Sequence, residues 1–102
     1  MSRASIVEQA PGLLLLSGEL DYRSGPQVRE DGRRLLQASA GATCVIDCAG
    51  VLRASSVGLS LLLAFMRDAQ AFGKTLEVRA LPEDMRQIAG VSGLLEILPL
   101  QA

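Results

Sequence analysis

The sequence contains no histidine, and this absence bears first on catalysis and metal binding. Histidine is the commonest general base near neutral pH and the commonest side-chain ligand of metals. Its absence argues against most hydrolase mechanisms and most transition-metal sites. We therefore expect a protein that is not an enzyme, with no catalytic residues, no metal site and no cofactor.

The chain also has few aromatic residues and almost no net charge, and both features argue against nucleic-acid binding. Phe, Tyr and Trp make up 3% of the chain, Trp is absent, and the formal net charge at pH 7 is −1. Proteins that bind the phosphate backbone need a basic surface, and proteins that bind single strands add aromatic stacking platforms. Since neither signature is present, we expect no nucleic-acid partner.

The chain has only two cysteines, Cys44 and Cys48, and their spacing argues against a disulfide between them. Both lie on one predicted strand, where four residues span roughly 13 Å between Cα atoms. A disulfide needs a Cα separation of less than about 7 Å. We expect both to be buried small hydrophobic residues in a reducing cytosol.

Long hydrophobic runs are absent as well. The longest runs from Val57 to Met66, which is about half the length that a membrane span needs. The N-terminal region lacks the apolar core of a signal peptide. We therefore expect a soluble, cytoplasmic protein with no direct membrane insertion.

The chain does have enough apolar residues for one hydrophobic core. Of its 102 residues 49% are hydrophobic, so we expect a single domain over residues 1–102. The patterning predicts an α/β fold in the order β-β-α-β-α-β-α, with a mixed sheet of four to five strands and about three helices. Because so few helices are available, one face of the sheet is expected to be lightly covered.

The hydrophobic periodicity places each predicted element along the chain. Strands are predicted at residues 4–10, 13–17, 44–48 and 75–80. Helices are predicted from 24, from 56 or 57 to 72, and from 82. We expect the first two strands to form a hairpin, and the third strand to be central and parallel to the fourth. Residues 18–21 are expected to form a loop, and Ser24 and Gln27 a capping box.

The second predicted helix carries more apolar surface than an ordinary surface helix. Its apolar residues span roughly 200° of the helical wheel, whereas a surface helix needs a stripe of about 100°. Either neighbours within the domain flank the helix, or the excess surface docks another protein. On the second interpretation, Leu61 and Leu63 at the edges of the arc are the expected anchors.

A polar segment, residues 53–56 (Arg-Ala-Ser-Ser), separates the third predicted strand from this helix, and we call it the elbow. Ser55 and Ser56 lie where free backbone N–H groups and the helix dipole favour a negative group. They are interpreted as N-caps, as a phosphorylation site with Gly58 leaving room for a partner, or as a nucleophile. A nucleophile needs a base, which without histidine would have to be Lys74 or a carboxylate, and Lys74 would lie about 27 Å away along the helix.

Several segments, taken in order, resemble the STAS domain family, and the match covers nearly the whole chain. They are Leu-Ser-Gly-Glu-Leu-Asp at 16–21, Val-Ile-Asp-Cys at 45–48, the elbow sequence at 55–59, the Leu-rich helix after it, and Val-Ser-Gly-Leu at 91–94. This family includes anti-sigma factor antagonists and the MlaB group, the small subunits of Mla phospholipid ABC transporters. The length, the Leu-rich helix and the end of the chain are most similar to the MlaB group.

The resemblance implies an accessory subunit that binds and regulates an MlaF-like ATPase subunit, in a complex with permease and substrate-binding subunits. Such a protein is cytoplasmic, lies peripheral to the inner membrane through its partner, and serves phospholipid transport and outer-membrane lipid asymmetry. The partner-binding residues implied lie on the elbow and the second helix: Arg53, Ser55, Ser56, Val57, Ser60, Leu61, Ala64 and Arg67.

The resemblance also implies an alternative function, that of an anti-sigma factor antagonist. In that group a partner kinase phosphorylates a serine of the elbow, and this serine corresponds to Ser56. The acidic position before it corresponds to Ser55. The sequence leaves open whether Arg29, Arg33 and Arg34 contact a partner or only water.

Overall fold

The computed structural model describes residues 4–101 and contains seven elements in the predicted order. The strands are β1 (Ser5–Ala10), β2 (Leu13–Leu20), β3 (Thr43–Ala54) and β4 (Thr75–Arg79). The helices are α1 (Gly25–Ala38), α2 (Ser56–Ala71) and α3 (Glu83–Val91). The α/β class and the order β-β-α-β-α-β-α are therefore confirmed, with a sheet of four strands.

The strands form one mixed sheet in the order β1-β2-β3-β4. β1 and β2 are antiparallel across a turn at Pro11 and Gly12, where Gly12 adopts a φ of +77°. β3 is parallel to both β2 and β4. The predicted hairpin, the central place of β3 and its parallel pairing with β4 are confirmed. Both βαβ crossovers run the same way along the sheet, so α1 and α2 lie on the same face.

Among residues 4–101, the hydrophobic core lies on this face of the sheet. Along β2, Leu14, Leu16 and Leu20 are buried, whereas Leu13 and Leu15 on the opposite face are half-buried. α3 joins the same helical layer, because the buried Met85 belongs to the same core. The opposite face has no helix over it among residues 4–101, as expected from the number of helices.

The helices of this layer approach each other closely at a glycine. A Cβ atom on Gly32 of α1 would lie 2.3 Å from the ring of Phe65 on α2. Phe65 is fully buried. Because no side chain larger than hydrogen fits at this point, Gly32 allows α1 to cover one flank of α2.

β2 and β3 are longer than the patterning predicted. Residues 18–20, which were expected in a loop, continue β2, and β3 runs past Cys48 to Ala54. The pairing of the two strands continues through register shifts between Leu15 and Ser17 and between Gly18 and Glu19. Each shift inserts an unpaired residue, so the strict alternation that identifies a strand breaks there.

The predicted capping box at the start of α1 is wrong. Ser24 makes no side-chain cap; its hydroxyl donates instead to the carbonyl oxygen of Glu19 at 2.9 Å. The carboxylate of Asp21 accepts the backbone N–H groups of Ser24 and Arg23, and these bonds lower its pKa. A carboxylate of the loop, rather than a capping box, therefore orders the entry into α1.

Both cysteines are free and buried, as predicted. Burial raises the pKa of Cys48 to about 12, and the neighbouring Asp47 carboxylate acts in the same direction. The Cys48 thiol therefore stays protonated near neutral pH.

None of the helices within residues 4–101 combines the length and the apolar character that crossing a membrane requires.

Candidate functional site

The elbow is held in place by the end of β2 and by α3. The N–H group and the hydroxyl of Ser55 both donate to the carbonyl oxygen of Leu20, at 3.1 and 3.3 Å. The Ser55 hydroxyl also accepts the N–H of Val57 at 3.1 Å. On the other side, the N–H of Ala54 donates to the carboxylate of Asp84 at 3.2 Å. These bonds set the direction in which α2 leaves the sheet.

The two serines of the elbow have different roles. Ser55 has an extended backbone and caps α2, so the N-cap interpretation is confirmed for this residue. Ser56 is the first residue of α2 and is exposed, and its hydroxyl takes part in no hydrogen bond within residues 4–101. Ser56 therefore presents its hydroxyl to any molecule that approaches the start of α2.

A shallow groove of about 400 Å³ lies beside the elbow, between α2 and the start of α1. We call it the α2 groove. Its lining comes from both helices and the loop before α1: Tyr22, Gly25, Pro26, Arg29, Val57, Ser60, Leu61 and Ala64. The fold thus brings together four of the residues implied as partner-binding, namely Val57, Ser60, Leu61 and Ala64. The groove is mostly apolar, and Arg29 is its only ionisable group apart from Tyr22.

Most of the wide apolar arc of α2 is covered within the domain. Leu59, Leu61, Leu62 and Phe65 are all buried, because the sheet covers one flank of the helix and α1 covers another. Leu61 is only 4% exposed and forms the floor of the α2 groove. The expectation that it is an exposed anchor is therefore wrong, and Leu63 is half-buried against the core.

Gly58 also faces the core rather than a partner. A Cβ atom at this position would lie 3.0 Å from the Cβ of Ala54 and 3.2 Å from the methyl group of Met85. The expectation that Gly58 leaves room for another protein is therefore wrong. It allows the first turn of α2 to pack closely against β3 and α3.

Arg53 and Arg67 lie outside the α2 groove. Arg53 lies near the end of β3 and Arg67 in the fourth turn of α2, and both are exposed. Neither forms an ion pair with another residue in the part of the chain that the structure describes. They place positive charge near the elbow and near the far end of the α2 groove.

The three arginines of α1 are engaged within the domain. Arg29 forms a two-pronged ion pair with Asp68 of α2, whose side chain is only 12% exposed. Arg33 and Arg34 pair with acidic residues three positions earlier on the same helix. Arg29 therefore joins α1 to α2 beside the groove, whereas the other two form surface pairs.

Sequence reasoning missed the contribution of the loop before α1 to this surface. Tyr22 is 76% exposed and lies beside the groove, with the Arg23 guanidinium 5.7 Å from the centre of its ring. Pro26 lies in the first turn of α1 and also lines the groove. A tyrosine in a chain with so few aromatic residues was the one signal in the sequence. Its proximity to α2 depends on the tertiary structure and could not be inferred from the sequence.

Within residues 4–101, neither elbow serine forms a hydrogen bond with Lys74 or with a carboxylate, so the nucleophile interpretation gains no base. Lys74 donates instead to the carbonyl oxygens of Leu36, at 2.5 Å, and Ser39, at the end of α1. Its ammonium group thus completes the C-terminus of α1. Within the described residues, no cluster of three or more Cys, Asp or Glu side chains could hold a metal ion. The surface offers the exposed Ser56 hydroxyl and the mostly apolar α2 groove.

Comparison with known proteins identifies the family. A family model described as "Mlab, STAS domain" matches residues 6–99. A solved anti-sigma factor antagonist from Mycobacterium paratuberculosis is 26% identical, with a TM-score of 0.72, covering 98% of this chain and 85% of that chain.

Two further solved structures share the fold at lower identity. A chain of the Acinetobacter MlaFEDB complex in an ATP-bound conformation is 23% identical, with a TM-score of 0.79, covering 93% of this chain and 99% of that chain. The Bacillus cell fate determinant SpoIIAA in its phosphorylated form is 20% identical, with a TM-score of 0.65, covering 97% of this chain and 91% of that chain.

Proposed function

The chain belongs to the STAS domain family, and on this premise we propose that it is an accessory subunit of an Mla-type ABC transporter. In this role it binds and regulates the MlaF-like ATPase subunit, in a complex with permease and substrate-binding subunits. It lies in the cytoplasm, peripheral to the inner membrane through its partner, and hydrolyses nothing itself. The complex transports phospholipids and maintains the lipid asymmetry of the outer membrane.

The observation that carries the proposal is the character of the α2 groove and the elbow beside it. Val57 and Ala64 are half-buried and small, Ser56 and Ser60 are exposed, and none of them is charged. Such a surface lets another backbone approach closely at little desolvation cost. The exposed Tyr22 at its margin is of the type that is enriched at the energetic centres of interfaces.

The comparisons support the transporter in particular. The matching family model carries the MlaB name, and the likeness to a chain of the MlaFEDB complex spans 99% of that chain. In the proposed complex, Ser56 contributes its unbonded hydroxyl as a contact group. Arg53 and Arg67 flank the surface and attract acidic groups of the ATPase.

The proposal is tested by reconstituting the complex with the ATPase and permease of the same organism. Ala64→Asp and Ser60→Glu introduce a charge into the groove without altering a core residue. Each is expected to weaken binding to the ATPase at least about tenfold and to lower its ATP hydrolysis rate. The matched control is Ala71→Asp, on an exposed position of the same helix. Equal binding of all three variants and the wild type would contradict the proposed surface.

An anti-sigma factor antagonist is the second candidate, and the exposure of Ser56 favours it. The hydroxyl lies at the N-terminus of α2, where a phosphate would meet the positive end of the helix dipole. A cognate anti-sigma kinase with ATP is then expected to place stoichiometric phosphate on Ser56, and none on a Ser56→Ala variant. Intact-mass measurement after incubation decides this, and an unlabelled wild type would count against the candidate.

A further inference from the structure

The two edges of the sheet differ in how their backbone groups are covered. Along β4, the N–H of Val78 donates to Pro99 at 2.9 Å and its carbonyl accepts from Gln101 at 2.8 Å. Leu100 pairs with Val78 as a short parallel bridge. The C-terminal segment therefore closes this edge. β1 forms the other edge, and no strand pairs with its outer side within residues 4–101.

β1 lacks most of the devices by which proteins protect a free edge. Its six residues include no proline and no lysine or arginine, and Glu8 is the only charged residue. An edge of this kind presents unpaired N–H and C=O groups to any second strand. The register shift between Glu8 and Ala10 disturbs only the end of the strand. The stretch from Ser5 to Glu8 therefore remains regular and able to pair.

An open groove of about 420 Å³ runs beside this edge, between β1 and the second half of α1. Its apolar lining consists of Ile6, Val7, Leu35 and Ala38. Its charged lining consists of Glu8 and the ion-paired Asp31 and Arg34. If a fifth strand paired with β1, its side chains on the helical face of the sheet would lie in this groove, next to α1. A strand that added to β1 would therefore gain backbone hydrogen bonds and an apolar pocket together.

We propose that a second copy of this chain occupies the edge, with the two β1 strands antiparallel about a two-fold axis that passes beside Ile6. This pairing joins two four-stranded sheets into one sheet of eight strands. Ile6 then faces Ile6 of the partner, so the two grooves merge around an apolar pair. Ser5 faces Val7 of the partner on the open face of the sheet.

Charge and register favour this arrangement over the neighbouring ones. A two-fold axis at Glu8 would place two carboxylates opposite each other, which destabilises a cross-strand pair. An axis at Val7 would engage Gln9, which lies at the register shift. With the axis at Ile6, Glu8 faces the small Ala4. The Asp31–Arg34 pair is neutral as a unit, so Glu8 is the remaining charge of the groove lining, and this register keeps it from facing the partner's Glu8.

This interface is separate from the proposed transporter surface. The groove beside β1 is lined by the second half of α1, from Asp31 onwards. The α2 groove is lined by the first turns of α1, up to Arg29. One chain can therefore pair through β1 while its α2 groove holds a different protein. The inference does not rest on the proposed function.

Sedimentation equilibrium of the purified chain tests the proposal at concentrations up to about 1 mM. The wild type is expected to sediment as a dimer. Val7→Lys, at an edge position that is 50% exposed, is expected to raise the dimer dissociation constant at least about tenfold. Val91→Lys is the matched control, because Val91 is 92% exposed on α3, and it should dimerise like the wild type.

A disulfide test fixes the register independently. A mixture of Ser5→Cys and Val7→Cys chains is expected to form a disulfide-linked heterodimer under mild oxidation. Each variant alone should link far less, because its cysteine does not face its own copy. A wild type that stays monomeric at the highest concentration would overturn the proposal. A dimer that Val7→Lys and Val91→Lys weaken equally, or one that forms no mixed disulfide, would overturn it too.

Discussion

The hydroxyl of Ser55 donates to the carbonyl oxygen of Leu20 at 3.3 Å, across the point where β2 ends and α2 begins. The same hydroxyl accepts the N–H of Val57, so one side chain connects the strand to the helix. Ser56, one residue later, is exposed, and its hydroxyl forms no hydrogen bond within residues 4–101. The two adjacent serines therefore have different roles: Ser55 stabilises the fold, whereas the hydroxyl of Ser56 remains free to contact another molecule.

This division predicts that the two serines respond differently to alanine. Ser55→Ala removes the N-cap of α2 and its bond to β2, and should lower the free energy of unfolding by about 1 kcal/mol. Ser56→Ala should change it by less than about 0.5 kcal/mol, as is usual for a surface substitution. Urea unfolding followed by circular dichroism measures both. Equal losses for the two variants would contradict the assignment of the cap to Ser55.

The burial of Leu61 predicts a stability effect rather than a pure binding effect. Leu61→Ala leaves a cavity between α1 and α2 and should cost about 2–5 kcal/mol of unfolding free energy. Leu52→Ala is the matched control, because Leu52 is 71% exposed, and should cost far less. Thermal unfolding of the two variants compares them. A Leu61→Ala variant as stable as Leu52→Ala would show that the leucine is not part of the core.

The ion pair between Arg29 and Asp68 predicts a coupling between α1 and α2. Asp68 is largely buried, so Asp68→Ala leaves the Arg29 guanidinium without its partner and should cost about 1–3 kcal/mol. Glu30→Ala, which breaks an exposed pair with Arg33, should cost at most about 0.5 kcal/mol. A double-mutant cycle of Arg29→Ala and Asp68→Ala measures the coupling directly. Strictly additive losses would contradict the predicted coupling.

The bonds to the Asp47 carboxylate predict that the folded protein loses stability in acid. The N–H of Ala49 and the guanidinium of Arg79 bond to its carboxylate and together hold its pKa below the ordinary 3.8, although burial opposes them. The charged form thus stabilises the fold above about pH 3.8, and this contribution is lost as the pH falls from there through the lowered pKa. Asp47→Asn should be less stable than the wild type at pH 7, with the difference shrinking below pH 4. A constant difference in urea unfolding across this range would contradict the effect.

The elements of the fold were largely predictable, because their signals are local. The hairpin follows from Pro11 and Gly12 between two apolar runs, and α2 follows from its long apolar pattern after the elbow. The ends of β2 and β3 were not predictable, because bulges break the alternation where strands continue to pair. The capping box at Ser24 failed because its hydroxyl bonds to Glu19 instead.

The candidate site was predictable only in part. The position of the two serines at the start of α2 followed from the sequence, and Val57, Ser60 and Ala64 do line one groove with the loop before α1. The role of Leu61 did not follow, because α1 covers one flank of α2 through a contact that pairs Gly32 with Phe65. Tyr22 was missed because it reaches this surface from a different element.

By itself, the sequence determined the class of the protein, the order of its elements and the place of the elbow. Periodicity and turn residues depend on short stretches of chain, so they can be interpreted without a structure. Only the tertiary structure decided which apolar residues of α2 are covered, which elbow serine is bonded and which edge of the sheet stays open. Each of these depends on residues that are distant in sequence and meet only when the helices pack on the sheet.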